Sequence, residues 1–146
     1  SLVERYEVFK KYPSTINIKI KKADFFAKLN RNGKIFIIAS NGKLISSNKS
    51  QYNKLPFVFG KPTVNEFLKF KKIIDGSKFS YSQIKDLYFF QSKRWDLKLK
   101  NDILLRLPTN FTNKTLDSIH KFLENYNEEG LYTIDARIKN QIILNE

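Results

Sequence analysis

The sequence has no cysteine and a single histidine among its 146 residues. Without cysteine the chain can form neither a disulfide nor a thiolate metal site. One histidine cannot build a common zinc site unless carboxylates supply the other ligands. The five glycines include no glycine-rich phosphate-binding loop. We interpret His120 as an ordinary helix residue and expect no cofactor, no metal and no enzyme, although a catalytic pair assembled only by the fold is left open.

Long apolar runs are missing as well. No stretch of about 18 apolar residues occurs, so the sequence predicts no membrane-spanning helix within these residues, and no signal peptide is recognisable. The chain starts abruptly at Ser1 and shows a strand-like pattern a few residues later. We interpret it as a fragment of a longer protein, in which a membrane anchor would lie upstream.

Positive charge is abundant, with a formal net charge of +13, but of the 27 basic residues 22 are lysine and only 5 are arginine. Such a charge is typical of nucleic-acid or anionic-membrane binding, yet arginine is the residue preferred for bidentate phosphate contacts. Heavy use of Lys, Asn, Ile, Phe and Tyr is also what A- and T-rich codons produce, and we prefer this explanation of the charge. A basic nucleic-acid-binding module remains the alternative from another functional class.

Thirteen Phe, seven Tyr and one Trp supply the apolar surface for one folded domain. Period-two alternation predicts strands, most clearly in residues 15–21, and two Asn-Gly pairs predict tight hairpin turns on either side of residues 34–39. Helices are predicted at 63–75, opened by a capping box, and at 112–126. The pattern indicates an α+β fold, a mostly antiparallel sheet with two or three helices, and not alternating βαβ units.

Two segments carry more specific expectations. Pro56 cannot donate to a strand ladder, so we expect its segment at a sheet edge or in a loop. Residues 131–137 and 141–144 predict a final hairpin, whose outer strand would have no later strand to cover it. An uncovered strand is a template for strand addition by a partner, although an ordinary edge guarded by Lys139 is the simpler interpretation from the residues.

Five short segments follow one another across nearly the whole chain in a distinctive order and spacing. They are the Tyr-Pro hairpin of residues 11–20, the apolar strand and Asn-Gly turn within residues 27–44, the Leu-Pro-apolar-x-x-Gly segment of residues 55–60, the Trp-x-Leu-x-Leu hairpin of residues 94–107, and the Ile-Asp-Ala-Arg strand of residues 134–137. Together they resemble the FtsQ/DivIB family of bacterial cell-division proteins.

The resemblance implies a domain layout and a cellular role. Residues 1–27 would be the C-terminal hairpin of a truncated POTRA domain, and residues 28–146 an FtsQ-type β domain. Proteins of this family are non-catalytic and cross the cell inner membrane once, which would place this domain in the periplasm. The implied partners are FtsB/DivIC-like and FtsL-like division proteins during septum formation, with no nucleic acid and no small-molecule substrate. A POTRA-bearing outer-membrane assembly factor is a third interpretation.

The resemblance also implies a partner-binding site, because the family receives its partner at the last strands of the β domain. Arg137 corresponds to the family's partner-facing arginine and is expected to pair with a partner carboxylate. The other expected partner-binding residues are Ile138 as an apolar anchor, Lys139, Asn140, Gln141 and Ile142, with Lys93 as a second basic contact. Folding roles are expected for Trp95, Leu97, Ile134 and Asp135, the last through a local hydrogen bond or ion pair.

Overall fold

The computed structural model describes residues 3–11, 15–22, 24–46, 54–126, 129–130, 132–138 and 142–145, and for the first two ranges the backbone only. The strands and helices in these ranges are β1 (Val3–Lys11), β2 (Thr15–Lys22), β3 (Phe25–Arg31), β4 (Lys34–Ala39), β5 (Leu44–Ser46), β6 (Phe57–Phe59), α1 (Val64–Asp75), a 3-10 turn (Tyr81–Gln83), β7 (Ile84–Phe89), β8 (Trp95–Leu99), β9 (Leu104–Arg106), α2 (Asn113–Asn125), β10 (Thr133–Asp135) and β11 (Ile143–Asn145). Neither described helix has the length and apolar character that crossing a membrane requires.

The strands form two sheets. β1 and β2 pair as a separate antiparallel hairpin, and the other nine strands form one sheet in the order β11-β10-β9-β8-β7-β6-β3-β4-β5. Five of the eight neighbouring pairs in that sheet are antiparallel, which confirms the predicted α+β fold. β3 contains residues on both sides of the expected domain boundary at residue 27, and the assignment of the β1–β2 hairpin to a POTRA domain stays a prediction.

The other three neighbouring pairs are parallel, and two of them arise from helical crossovers. α1 connects β6 to the parallel β7, and α2 connects β9 to the parallel β10. The mostly antiparallel sheet therefore also contains two βαβ units, which the sequence pattern did not indicate. Strands of three residues, such as β6, β9 and β10, are too short to show a period of two. Pro56 lies immediately before β6, where its carbonyl accepts a hydrogen bond from the Lys28 N–H at 2.9 Å, so its segment leads into the interior of the sheet.

Both helices pack on one face of the large sheet. α1 begins at the predicted capping box, in which the Thr63 hydroxyl accepts from the Glu66 N–H at 3.1 Å and the Glu66 carboxylate accepts from the Thr63 N–H at 3.0 Å. Trp95 lies at the centre of the core, with its ring 4.4 Å from that of Phe70 on α1. The row of sheet residues beneath the helices is Val58, Leu87, Leu97, Leu105 and Ile134, all at most 2% exposed. We call this side the helix face and the opposite side the outer face.

Candidate partner-binding edge and the charged row beside it

The outer edge of β11 presents backbone groups to which no described strand bonds. On the neighbouring β10, the carbonyl of Tyr132 and the N–H of Ala136 bond to β9. Because successive residues of a strand direct their backbone groups to alternate sides, Asp135 faces the other way, towards its partner Ile143 on β11. The N–H and C=O of Leu144, the next residue, therefore point away from β10, on the side that the described strands leave uncovered.

Exposed apolar side chains are concentrated around this edge. Of the six large hydrophobic side chains that are exposed in the described part of the chain, four belong to the final hairpin: Tyr132, Ile138, Ile142 and Ile143, which are 65%, 52%, 36% and 47% exposed. Single exposed apolar residues are common on protein surfaces, so what distinguishes the final hairpin is that four of them occur in one short segment. The final hairpin therefore combines unpaired backbone groups with apolar surface.

A groove of about 440 Å³ runs between α2 and the start of β11. On the α2 side the rings of Phe122 and Tyr126 stack with centroids 4.8 Å apart, and Ile142 closes the groove on the β11 side. The remaining lining residues are Ser118, Lys121 and Asn125. The groove lies on the helix face of the sheet, directly beside the uncovered edge.

A row of charged side chains crosses the outer face next to the edge. Asp135 on β10, Arg106 on β9 and Asp96 on β8 are in register, and two further arginines, Arg94 and Arg137, lie two residues from the aspartates. Arg137 Nη2 is 2.6 Å from Asp135 Oδ2, Arg106 Nε is 3.7 Å from Asp96 Oδ2, and Arg94 Nη1 also pairs with Asp96. These five residues, which we call the charged row, alternate in sign and contain three of the five arginines in the chain.

The two aspartates of the row have different electrostatic environments. Asp96 is 4% exposed, and burial raises its pKa, while its hydrogen bond and ion pair with Arg94, and then Arg106, oppose that increase. The pKa of Asp135 is lowered, mainly by the hydrogen bond from Arg137, and the pKa of Arg137 is raised by the same contact. Asp135 is therefore ionised at neutral pH and is firmly paired within the chain.

The structure places the expected partner-binding residues unevenly. Arg137, Ile138 and Ile142 lie in the final hairpin beside the edge, whereas Lys139, Asn140 and Gln141 lie outside the described residues. Lys93 lies in the turn between β7 and β8, where its Nζ is 3.2 Å from a carboxylate oxygen of Glu66. β9 and β10 lie between β8 and β11 in the sheet, so Lys93 is not next to the β11 edge.

The residues to which the sequence assigns folding roles are found in or next to the core. Trp95 is 4% exposed, and Leu97 and Ile134 are fully buried. Asp135 accepts hydrogen bonds from the backbone N–H and the side chain of Arg137. It therefore belongs to the charged row as well as to the local structure of β10.

Three members of the charged row, Arg94, Asp96 and Arg106, were not among the site residues predicted from the sequence. A signal for them does exist, because opposite charges two residues apart on a strand share a face. Arg94 and Asp96 have this spacing, as do Asp135 and Arg137. Only the parallel register of β9 and β10 brings the two pairs into one row, and that register was not foreseen.

Within the described ranges no cluster of three or more His, Cys, Asp or Glu side chains could bind a metal ion. His120 lies on α2, where its Nε2 is 3.0 Å from a carboxylate oxygen of Glu124 one turn later. This is the contact of an ordinary helix-surface histidine. The prominent feature of the described surface is therefore the β11 edge with the groove and the charged row on either side of it.

These features define an α+β domain whose large sheet ends in an uncovered strand flanked by apolar and charged surface. The chain belongs to the FtsQ/DivIB family of bacterial cell-division proteins, because the family model described as cell division protein FtsQ/DivIB, C-terminal, matches residues 21–137.

Three relatives are all described as cell division protein FtsQ. The protein from Rickettsia bellii is 30% identical over 153 residues, which cover 95% of this chain and 53% of that protein. Those from Bradyrhizobium diazoefficiens and Rhizobium meliloti are 24% and 21% identical and match 94% and 95% of this chain. The match spans 41% and 46% of the lengths of the latter two, so the chain corresponds to about half of such a protein.

Proposed function

We propose that this chain is the extracytoplasmic part of an FtsQ-type division protein and that it acts without catalysis, as a scaffold that binds an FtsB/DivIC-like partner together with an FtsL-like protein. In this proposal the whole protein is held in the inner membrane by one helix upstream of these residues, and the domain lies in the periplasm. The partner adds a strand to the outer side of β11. The uncovered backbone groups of that strand are the observation that supports the proposal most directly.

Strand addition to β11 gives only part of the binding energy. β11 has three residues, so an added strand gains few backbone hydrogen bonds, each worth about 0.5–1.5 kcal/mol net. Alternate side chains of the added strand would point to the helix face, where the groove lined by Phe122, Tyr126 and Ile142 begins. We therefore expect the partner strand to carry a large apolar side chain at a position that enters this groove.

Arg137 supplies the polar part of the proposed interface. Its side chain is 41% exposed, and an exposed ion pair by itself contributes little to affinity. A partner strand that covers Arg137 would exclude water from the guanidinium donors that Asp135 does not use, and a partner carboxylate would satisfy those donors. The nucleic-acid alternative draws less support from the other two arginines of the charged row, since Arg94 and Arg106 both face Asp96.

The proposal is tested with a variant that combines Ile142→Pro with Arg137→Glu. Ile142 immediately precedes β11, and if the alternation of the strand continues to it, its N–H points to the uncovered side. Proline there would then remove a donor for the added strand without breaking the β10–β11 ladder. The matched control combines Ser46→Pro with Lys43→Glu on the opposite edge of the sheet. Ala39 N–H bonds to the Lys43 carbonyl, and the same alternation directs the Ser46 N–H outward.

Binding of the partner's extracytoplasmic region is measured by isothermal titration calorimetry, after far-UV circular dichroism and urea unfolding have established that each variant folds. We expect at least a hundredfold weaker binding for the Ile142→Pro, Arg137→Glu variant, and binding within about twofold of the parent for the control, which corresponds to roughly 2.7 and 0.4 kcal/mol. Equal affinities for a folded double variant and the parent would rule out strand addition at β11.

A further inference from the structure

Asp135 accepts more hydrogen bonds from Arg137 than are found in an ordinary surface ion pair. Arg137 Nε donates to Asp135 Oδ1 at 2.9 Å and to Oδ2 at 3.1 Å, and Nη2 donates to Oδ2 at 2.6 Å. The backbone N–H of Arg137 also donates to Oδ1, at 3.1 Å. The carboxylate therefore holds both the start and the end of the arginine side chain.

The side-chain hydrogen bonds to Asp135 use only one side of the Arg137 guanidinium. The group is planar and carries five N–H donors in a rigid fork that can bind two carboxylates at different sides. Asp135 occupies the side formed by Nε and Nη2. The hydrogen bonds of Arg137 to described residues leave Nη1 and the second hydrogen of Nη2 unused, and these donors together form a second fork at the end of the group.

Asp135 also lies beside the rest of the charged row. Its side chain is 16% exposed, it is in register with Arg106, and Arg106 also faces Asp96. Arg94 on the far side of Asp96 completes the row. Every member of the row therefore has a neighbour of opposite charge, and the charge of Arg106 helps to lower the pKa of Asp135.

We propose that Asp135 is a positioning residue, which holds the Arg137 guanidinium so that its free fork binds a carboxylate of the partner strand. This inference rests on the proposed function and deepens it, since it assigns to Asp135 the orientation of the arginine that the proposed interface uses. A free arginine loses much side-chain freedom when it is ordered on binding, whereas a pre-ordered one does not. The partner side chain is a Glu or Asp, and its amide analogue should bind poorly.

The variant Asp135→Asn distinguishes positioning from simple electrostatics, because the two explanations predict opposite changes in the affinity of Arg137 for a carboxylate. Removal of the negative charge leaves Arg137 more positive, so electrostatics predicts tighter binding of a carboxylate. Positioning predicts weaker binding, by about tenfold, because the guanidinium is released. Asparagine has nearly the shape of aspartate, which favours folding of the variant, and Arg137→Lys provides a second variant that keeps the charge but has no fork.

The first measurement follows the Arg137 side-chain NεH signal of the free protein by NMR. Acetate serves as the carboxylate probe and is exchanged against chloride at constant ionic strength. We expect a protected NεH signal that shifts with acetate in the parent, and a signal that exchanges rapidly and shifts less in the Asp135→Asn variant. An Asp135→Asn variant that binds acetate as well as the parent, or better, would overturn the proposal.

The second measurement repeats the comparison with the partner's extracytoplasmic region, in a double-mutant cycle with Arg137→Met. If Asp135 acts through Arg137, Asp135→Asn weakens binding about tenfold in the parent and has no effect in the Arg137→Met background. An equal effect in both backgrounds would mean a merely structural role. If the partner does not bind the parent at all, strand addition as proposed above fails, while the acetate measurement still decides whether Asp135 positions Arg137.

Discussion

Replacement of Gly60 by alanine should destabilise this fold far more than the same replacement at Gly33. Gly60 follows β6 and has a φ of +97°, and a Cβ atom at this position would lie 2.2 Å from the carbonyl oxygen of Phe89 on the neighbouring β7. Gly33 lies in the turn between β3 and β4 with a φ of +81°, and no heavy atom lies within 4 Å of the Cβ position there. Alanine would therefore be strained by the positive φ at both positions, but only at Gly60 would its methyl group also collide with a neighbouring strand.

The magnitudes follow from these two contributions. A side chain in the left-handed region costs about 1–2 kcal/mol, and this is the whole expected effect of Gly33→Ala. At Gly60 the methyl group also has to displace the backbone of Phe89, and forced overpacking of this kind costs about 1–3 kcal/mol more. We therefore expect roughly 2–5 kcal/mol for Gly60→Ala, a large share of the 5–15 kcal/mol by which domains are stable.

Urea unfolding followed by tryptophan fluorescence measures both variants, because Trp95 is the only tryptophan and is buried in the core. The free energies of unfolding should rank parent, Gly33→Ala and Gly60→Ala in decreasing order, with unchanged slopes against urea. Equal losses at the two glycines would refute the close approach of β6 to β7. The predicted outcome would explain physically why the Leu-Pro-apolar-x-x-Gly segment ends in glycine.

Two further predictions concern charged groups. Lys71 is 9% exposed, and its Nζ lies 4.2 Å and 4.5 Å from the ring centres of Phe26 and Tyr81 and 2.6 Å from Asp75 Oδ2. Lys71→Met removes these contacts together and should lower the free energy of unfolding by about 1–2 kcal/mol; an unchanged urea midpoint would show that they do not stabilise the fold. The pKa of Asp135 is lowered in the folded protein, chiefly by the hydrogen bond from Arg137. The contribution of Asp135 to stability is therefore fully present when the pH is above the pKa of the unfolded chain, about 3.9. It is lost as the pH falls through the lower pKa of the folded protein. Thermal unfolding from pH 7 to pH 2 should show this loss in the parent and a smaller one in Asp135→Asn, and identical pH dependence would exclude the contribution.

Local features of the fold were predictable because neighbouring residues determine them. The capping box starts α1 where the pattern at Thr63 and Glu66 predicts it. The turn at residues 32–33 has positive φ at both Asn32 and Gly33, at +54° and +81°, as an Asn-Gly hairpin turn requires. The apolar run at residues 34–39 is β4 with those bounds. Each of these elements depends on contacts within a few residues of the chain.

The order of the strands was not predictable, because it depends on contacts between distant segments. β6, β9, β10 and β11 have three residues each, too few for an alternating pattern to identify the buried side. Their places in the sheet are determined by the two crossovers, which bury the apolar stripes of α1 and α2 against the helix face. The charged row depends on those registers, so its members could be seen as pairs in the sequence and not as a row.

The charged row changes what the composition says about function. A net charge of +13 carried mainly by lysine gives no specific partner, since it follows from codon usage as readily as from selection for binding. Arginine is rare in the chain, yet three of the five arginines lie in one row beside the uncovered edge. Lysine could not replace them there without loss of the bidentate contacts that the geometry of Arg137 and Asp135 uses. In the proposed function, the positive charge most relevant to partner binding is therefore the guanidinium that Asp135 orients, and the lysine excess would act mainly on solubility and on the rate of encounter.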